Sequence, residues 1–204
     1  MLAVKIMIKN LSLSFAIGIT ALSCVVLSPY PFYNNNDFIN QKLIGSWVPV
    51  DDDEITYTIS KLDSVSYTIC IKNDDEKKVY NYIARYLKIE NSEYVDLVTL
   101  LSESDQEDLF DQFIFPMHAL FKLETTDSTI IVKTINDDWC KGYRDKNRKQ
   151  CKINYYIDNA YLVLTDSTDL LRKFIKNNDR KTIYFNNNKT ELMFEDFSLL
   201  KRIK

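Results

Sequence analysis

The chain has 204 residues, enough for one domain with an appended N-terminal segment. Its 46% hydrophobic and 27% charged residues exclude wholesale disorder, and its 3 glycines exclude a Gly-rich phosphate cradle, which needs several close together. The net charge is −3; without Lys5 and Lys9, 24 basic residues face 29 acidic ones and it becomes −5, so a basic face for nucleic acid is not expected.

In chain order, Lys5 and Lys9 precede an apolar stretch over 11–22, then Ser23 and Cys24, which is the layout of a secretory signal. Ala21-Leu22-Ser23-Cys24 resembles the lipobox of bacterial lipoproteins, which implies cleavage before Cys24 and a lipid such as palmitate on it. The apolar run also continues to residue 27 without a charge, near the lower limit of a membrane-spanning helix, so an uncleaved anchor stands beside the lipoprotein reading, with plain secretion as a third. Each places the folded part outside the cytoplasm, in the cell envelope. Pro29, Pro31 and Asn34-Asn35-Asn36 break regular structure. The expected layout is a signal or anchor over 1–23, a tether over 24–40 and a β domain over 41–204.

Strands are expected at 43–50, 55–60, 65–72, 79–89 and 94–100, several with the period-two alternation of a half-buried strand. An acidic stretch over 102–111 reads as a loop or short helix, lacking the glycine and ligand order of a calcium loop. Strands over 116–124 and 129–135 form a hairpin around Thr126-Asp127-Ser128. Asn136 or Asp137 caps a helix leading into a basic loop, and 161–164 is a short strand. Ser167 is placed to cap a helix burying Leu170, Leu171, Phe174 and Ile175. Strands over 182–185 and 191–194 precede a basic tail. The fold class is mainly β: an antiparallel up-and-down sheet or barrel with one or two helices.

Of the four cysteines, Cys140 and Cys151 bracket a polar loop and are the candidate disulfide, with two free thiols as the alternative. Cys70 lies in a strand pattern as a buried free thiol. No CxxC and a single histidine leave no zinc site, and no other metal or cofactor is expected.

Three stretches together resemble a group of lipocalin-like bacterial envelope lipoproteins: LIGSWVPV with Gly45 and Trp47 as the Gly-x-Trp of a first strand, YVDLVTL with the hairpin after it, and YLVLTDSTDLLRKFI. The resemblance implies a small meander barrel with a central cavity, in which Trp47 plugs the closed end. It makes Arg202 the candidate for the basic residue packed over that tryptophan.

No nucleophile elbow accompanies His118, so a non-enzymatic protein is expected. The leading function is binding of a small apolar or amphipathic ligand in the barrel, with Tyr57, Tyr67, Tyr82 and His118 as candidate ligand-binding residues. The alternative is a filled-core interaction or structural module whose protein partner the sequence does not name. The expected partners are the membrane, through the N-terminal lipid or helix, and the small ligand.

Overall fold

The computed structural model describes residues 25–34, 38–75, 77–99, 117–136, 139, 155–158, 161–180, 183–185, 189–191 and 193–203. Alternating segments in the first half become an antiparallel meander: β2 (Gly45–Pro49), β3 (Ile55–Lys61), β4 (Tyr67–Asn73), β5 (Lys78–Ile89), β6 (Ser92–Thr99), β7 (His118–Thr125) and β8 (Thr129–Ile135). Before it come β1 (Val25–Ser28) and a 3-10 helix over Gln41–Leu43. After it come β9 (Tyr155–Asp158), β10 (Tyr161–Leu164), helix α1 (Thr168–Asn178), a small hairpin of β11 (Ile183–Phe185) and β12 (Lys189–Glu191), and β13 (Phe194–Arg202).

Strands β2 to β8 and β13 close into an eight-stranded antiparallel barrel. Strand β13 lies between β2 and β8, through pairs such as Arg202↔Trp47 and Ile130↔Leu200, and β6 pairs with β7 from Glu93↔Leu123 to Val98↔His118. Because side chains alternate across a strand, each strand sends every second residue inward. Ile55, Ile59, Tyr67, Ile71, Tyr82, Tyr86, Val95, Leu97, Phe121 and Leu123 thereby form the barrel core.

Strand β7 changes partners along its length. Residues 122–125 pair with β8, whereas His118, Ala119 and Leu120 pair with Ser28, Leu27 and Val26 of β1. Strand β1 continues the sheet outward, parallel to β10, which pairs with β9. Helix α1 buries Leu171, Phe174 and Ile175 in a second apolar cluster outside the barrel, with Val26, Phe32, Leu120 and Trp139. Thr168 Oγ1 donates to Pro31 O at 2.8 Å, and Arg172 donates to Phe32 O and Lys88 O, each at 2.8 Å, so the helix also clamps the N-terminal segment.

The structure corrects several expectations. The stretch over 24–40 is not a free tether in its described part: β1 is hydrogen-bonded on both edges and Phe32 is fully buried. The basic tail is the second half of β13, the strand that closes the barrel. Leu43 belongs to the 3-10 helix rather than to the first strand. Ser167 occupies the helix N-cap but its side chain makes no capping bond, while Leu170 is exposed and off the packed face. Asn136 Oδ1 accepts the Trp139 N–H at 2.9 Å, the bond expected of a cap, while the rest of that expected helix lies outside the described residues. Cys70 is a free thiol, but half-buried rather than buried. Cys24, Cys140, Cys151, the acidic stretch over 102–111 and most of the basic loop that follows Asn136 lie outside the described residues.

Candidate functional site: the barrel interior

The closed end is built first by the chain. Asn40 Oδ1 accepts from Lys42 N and starts the 3-10 helix; Asn40 N donates to Tyr67 Oη at 2.6 Å. Leu43 then drops into the barrel core, and its carbonyl accepts from Trp47 Nε1 at 2.9 Å. Trp47 is fully buried, with the Arg202 guanidinium stacked 4.3 Å from its ring. The same guanidinium donates to the carbonyls of Lys42, Ile44 and Asp127, so one planar fork ties the lid, the first barrel strand and the β7–β8 turn. Gly45 makes room for it. Gly45 has φ +144°, and a Cβ there would stand 2.7 Å from Arg202 Nη1, so a side chain at this position would meet both backbone strain and a collision. Gly45, Trp47 and Arg202 thus lie together at this end of the barrel.

Above the plug lies a cavity of about 90 Å³ with an apolar wall, to which Tyr57, Tyr67, Ile69, Leu97, Phe121 and Val132 contribute. At ~30 Å³ per liquid water, that is room for roughly three waters. Its lining is dominated by aliphatic and aromatic side chains, which favours an apolar occupant. Of the candidate ligand-binding residues, Tyr57 and Tyr67 line this space. Tyr82 is buried in the barrel core beside them but is not part of the wall.

Enclosure shows in the acidity of the phenols. Burial pushes Tyr57 up to about 12, helped by the negative charge of Asp52 and by Tyr82. Burial likewise pushes Tyr67 up to about 12, partly offset by its hydrogen bond with the Asn40 backbone. Tyr82, Tyr86 and Tyr94 are also raised, chiefly by burial. A phenol with a raised folded-state pKa stays protonated after its unfolded counterpart has ionised, so it contributes stability below the ordinary value of 10.0 that is lost as pH rises through about 12. Tyrosinate absorbance during an alkaline titration should therefore include a phase from Tyr57 and Tyr67 that appears only as the pH approaches about 12 or the fold opens. A single phase centred near 10 would contradict the enclosed barrel.

His118 lies elsewhere. Phe121 and Leu123 point into the barrel, so His118 and Leu120 point out, and the imidazole sits beneath the N-terminal segment. His118 Nδ1 is 2.9 and 3.1 Å from the two carboxylate oxygens of Asp96, a residue 1% exposed. Asp96 Oδ2 also accepts the Phe32 N–H at 2.8 Å. The Tyr33 ring packs edge-on against the imidazole at 5.8 Å, and Arg85 lies over that ring at 4.1 Å. Ser28 faces His118 across the β1–β7 pair, but it is fully enclosed and its Oγ already accepts from Tyr30 N at 2.9 Å. The group acts as a clasp, closing the N-terminal segment onto the barrel wall.

Asp96 was the residue missed in the sequence. Its strand position beside apolar neighbours looks solvent-facing until the segment after β1, with Phe32, is laid over it. Among the described residues, no helix is long and apolar enough to cross a membrane. Comparison with protein-family models, curated proteins and solved structures finds no match to this chain.

Proposed function

We propose that this protein is a non-enzymatic, lipocalin-like binding protein of the cell envelope that holds a small apolar or amphipathic molecule inside its barrel. The observation that carries the reading is the apolar cavity above a plugged end, within the apolar core of the barrel. Binding would draw on the apolar surface removed from water, worth about 25 cal/mol per Å². Ala84 lines the cavity and is 1% exposed. Replacing it with leucine fills the space without touching the plug. The A84L variant should keep or slightly gain stability and lose at least about tenfold in affinity for a small fluorescent apolar probe, a step of ~1.4 kcal/mol. Unchanged probe affinity would remove the cavity as the binding site.

One observation favours the second reading, a filled-core interaction module: the cavity of about 90 Å³ is smaller than the ~300–1,000 Å³ of drug-sized ligand pockets. Absence of saturable binding by the unmodified protein would move support to it.

The address belongs to the same proposal. Cys24 carries the lipid, Cys140 and Cys151 form the disulfide, and the protein is held at a membrane of the envelope. Supporting this are the basic-then-apolar N-terminus with its lipobox-like Ala21-Leu22-Ser23-Cys24, and the cysteine pair flanking a polar loop. Strand β1 begins at Val25, so a lipid on Cys24 would leave almost no slack between anchor and barrel. Intact-mass measurement of envelope-extracted protein, before and after reduction, should show an acyl increment that C24A abolishes and a loop disulfide. An unmodified full-length mass would contradict the lipoprotein form.

A further inference from the structure

The two ends of the barrel differ in chemistry. The Trp47 end is closed by backbone carbonyls and a guanidinium. At the opposite end, the β2–β3 loop carries Asp51, Asp52, Asp53 and Glu54, and the β4–β5 turn carries Asp74 and Asp75, all exposed. The two loops are joined, Asp74 N donating to Glu54 O at 3.0 Å. Lys72 and Lys77 are the basic residues of these loops with described side chains, and Lys72 is paired with Asp74. Among the described side chains, six carboxylates against two ammonium groups make this rim negative.

The same end holds an unspent polar atom. Ile130 and Val132 line the cavity; Thr134, two positions further along β8, has the same inward parity and lies beyond the lining residues, towards the acidic end. The outward-facing Ile135 in the outer cluster confirms the alternation. Thr134 is 1% exposed, and among the described residues its Oγ1 has no hydrogen-bond partner. A buried hydroxyl left unpaired is unfavourable, and a ligand group that satisfies it recovers that cost.

Resting on the cavity reading above, we propose that the occupant is a slim apolar chain or single ring bearing an uncharged or cationic hydrogen-bonding head. The head is seated towards Thr134 at the acidic end, and anionic heads are rejected. The cavity sets the width of the apolar part, Thr134 supplies the hydrogen bond and the acidic rim sets the sign. An amine or alcohol fits all three; a carboxylate of the same chain length meets the rim as a like charge.

Three probes sharing one chain separate the ideas: hexylamine, hexanol and hexanoate, each titrated into the full-length protein and followed by displacement of the fluorescent apolar probe. Hexylamine and hexanol are expected to compete, with hexanoate weaker by about tenfold and the amine-to-carboxylate gap shrinking as salt rises. Neutralising the exposed rim with D52N, D53N and D74N should close that gap and leave hexanol unchanged. T134V should weaken hexanol several-fold and leave the purely apolar probe unaffected. If hexanoate competes as well as hexylamine, the head-group assignment is wrong while the cavity reading stands. If no probe binds, including the apolar one, both fall.

Discussion

Replacing Trp47 with alanine is expected to lower the unfolding free energy by about 3–5 kcal/mol, the range for truncating a fully buried large aromatic. The indole is 0% exposed, donates to Leu43 O at 2.9 Å and carries the Arg202 guanidinium on its face. Truncation removes the packing, orphans the Leu43 carbonyl and deprives the guanidinium of its platform. A W47F variant keeps an aromatic face and loses the N–H, so it should cost less, about 1–2 kcal/mol. Urea midpoints with unchanged m-values would measure both. A loss under about 1 kcal/mol for W47A would mean that the lid over residues 38–44 closes the barrel without the plug.

The meander was legible because a barrel strand has one wet face and one dry face. Segments such as ITYTIS and YTICIKN alternate for that reason, and β3 to β8 appear near where the pattern places them. Two strands were hidden for opposite reasons. In β1, Val26 packs into the outer cluster while Leu27 packs against the barrel core, so both faces are covered. A strand covered on both faces reads as an unbroken apolar run, and here it merged with the signal-like segment before it. Strand β13 carries Glu195-Asp196 in succession, and its register shifts between Asp196 and Ser198, which spoils the alternation. It closes the barrel all the same, because its pairing with β2 and β8 is non-local.

The candidate site was partly legible for a related reason. Tyr57 and Tyr67 sit at inward positions of alternating strands, and the Gly45–Trp47 spacing located the plug. His118 was misassigned although a signal was present: Ala119, Phe121 and Leu123 form the more apolar parity of β7, which puts His118 on the other face. Nothing local could reveal Asp96 as its partner, since only the return of residues 25–33 onto the barrel wall removes that carboxylate from water.

That clasp carries the second large effect. Asp96→Ala should destabilise the protein by about 3–5 kcal/mol, as expected when one member of a buried pair is removed. The loss arises from two groups left behind: the His118 Nδ1 and the Phe32 N–H would both be buried without an acceptor, each at about 1–3 kcal/mol. It should also be local in its first consequence. Amide exchange in β1 should accelerate ahead of the barrel strands β3 to β5, because the clasp and the short β1–β7 ladder hold that segment. A double replacement, Asp96→Leu with His118→Leu, removes the polar pair as a unit and should recover much of the lost stability. The Phe32 amide would still lack its acceptor, so the recovery should be incomplete. Equal losses for the single and double variants would mean that the carboxylate serves the Phe32 amide alone and that the imidazole contributes nothing to holding the segment. Full recovery would assign the cost to the imidazole instead. The two contacts of one carboxylate are thus separable by a single cycle, read by denaturation for the total and by exchange in β1 for the place where the fold first opens.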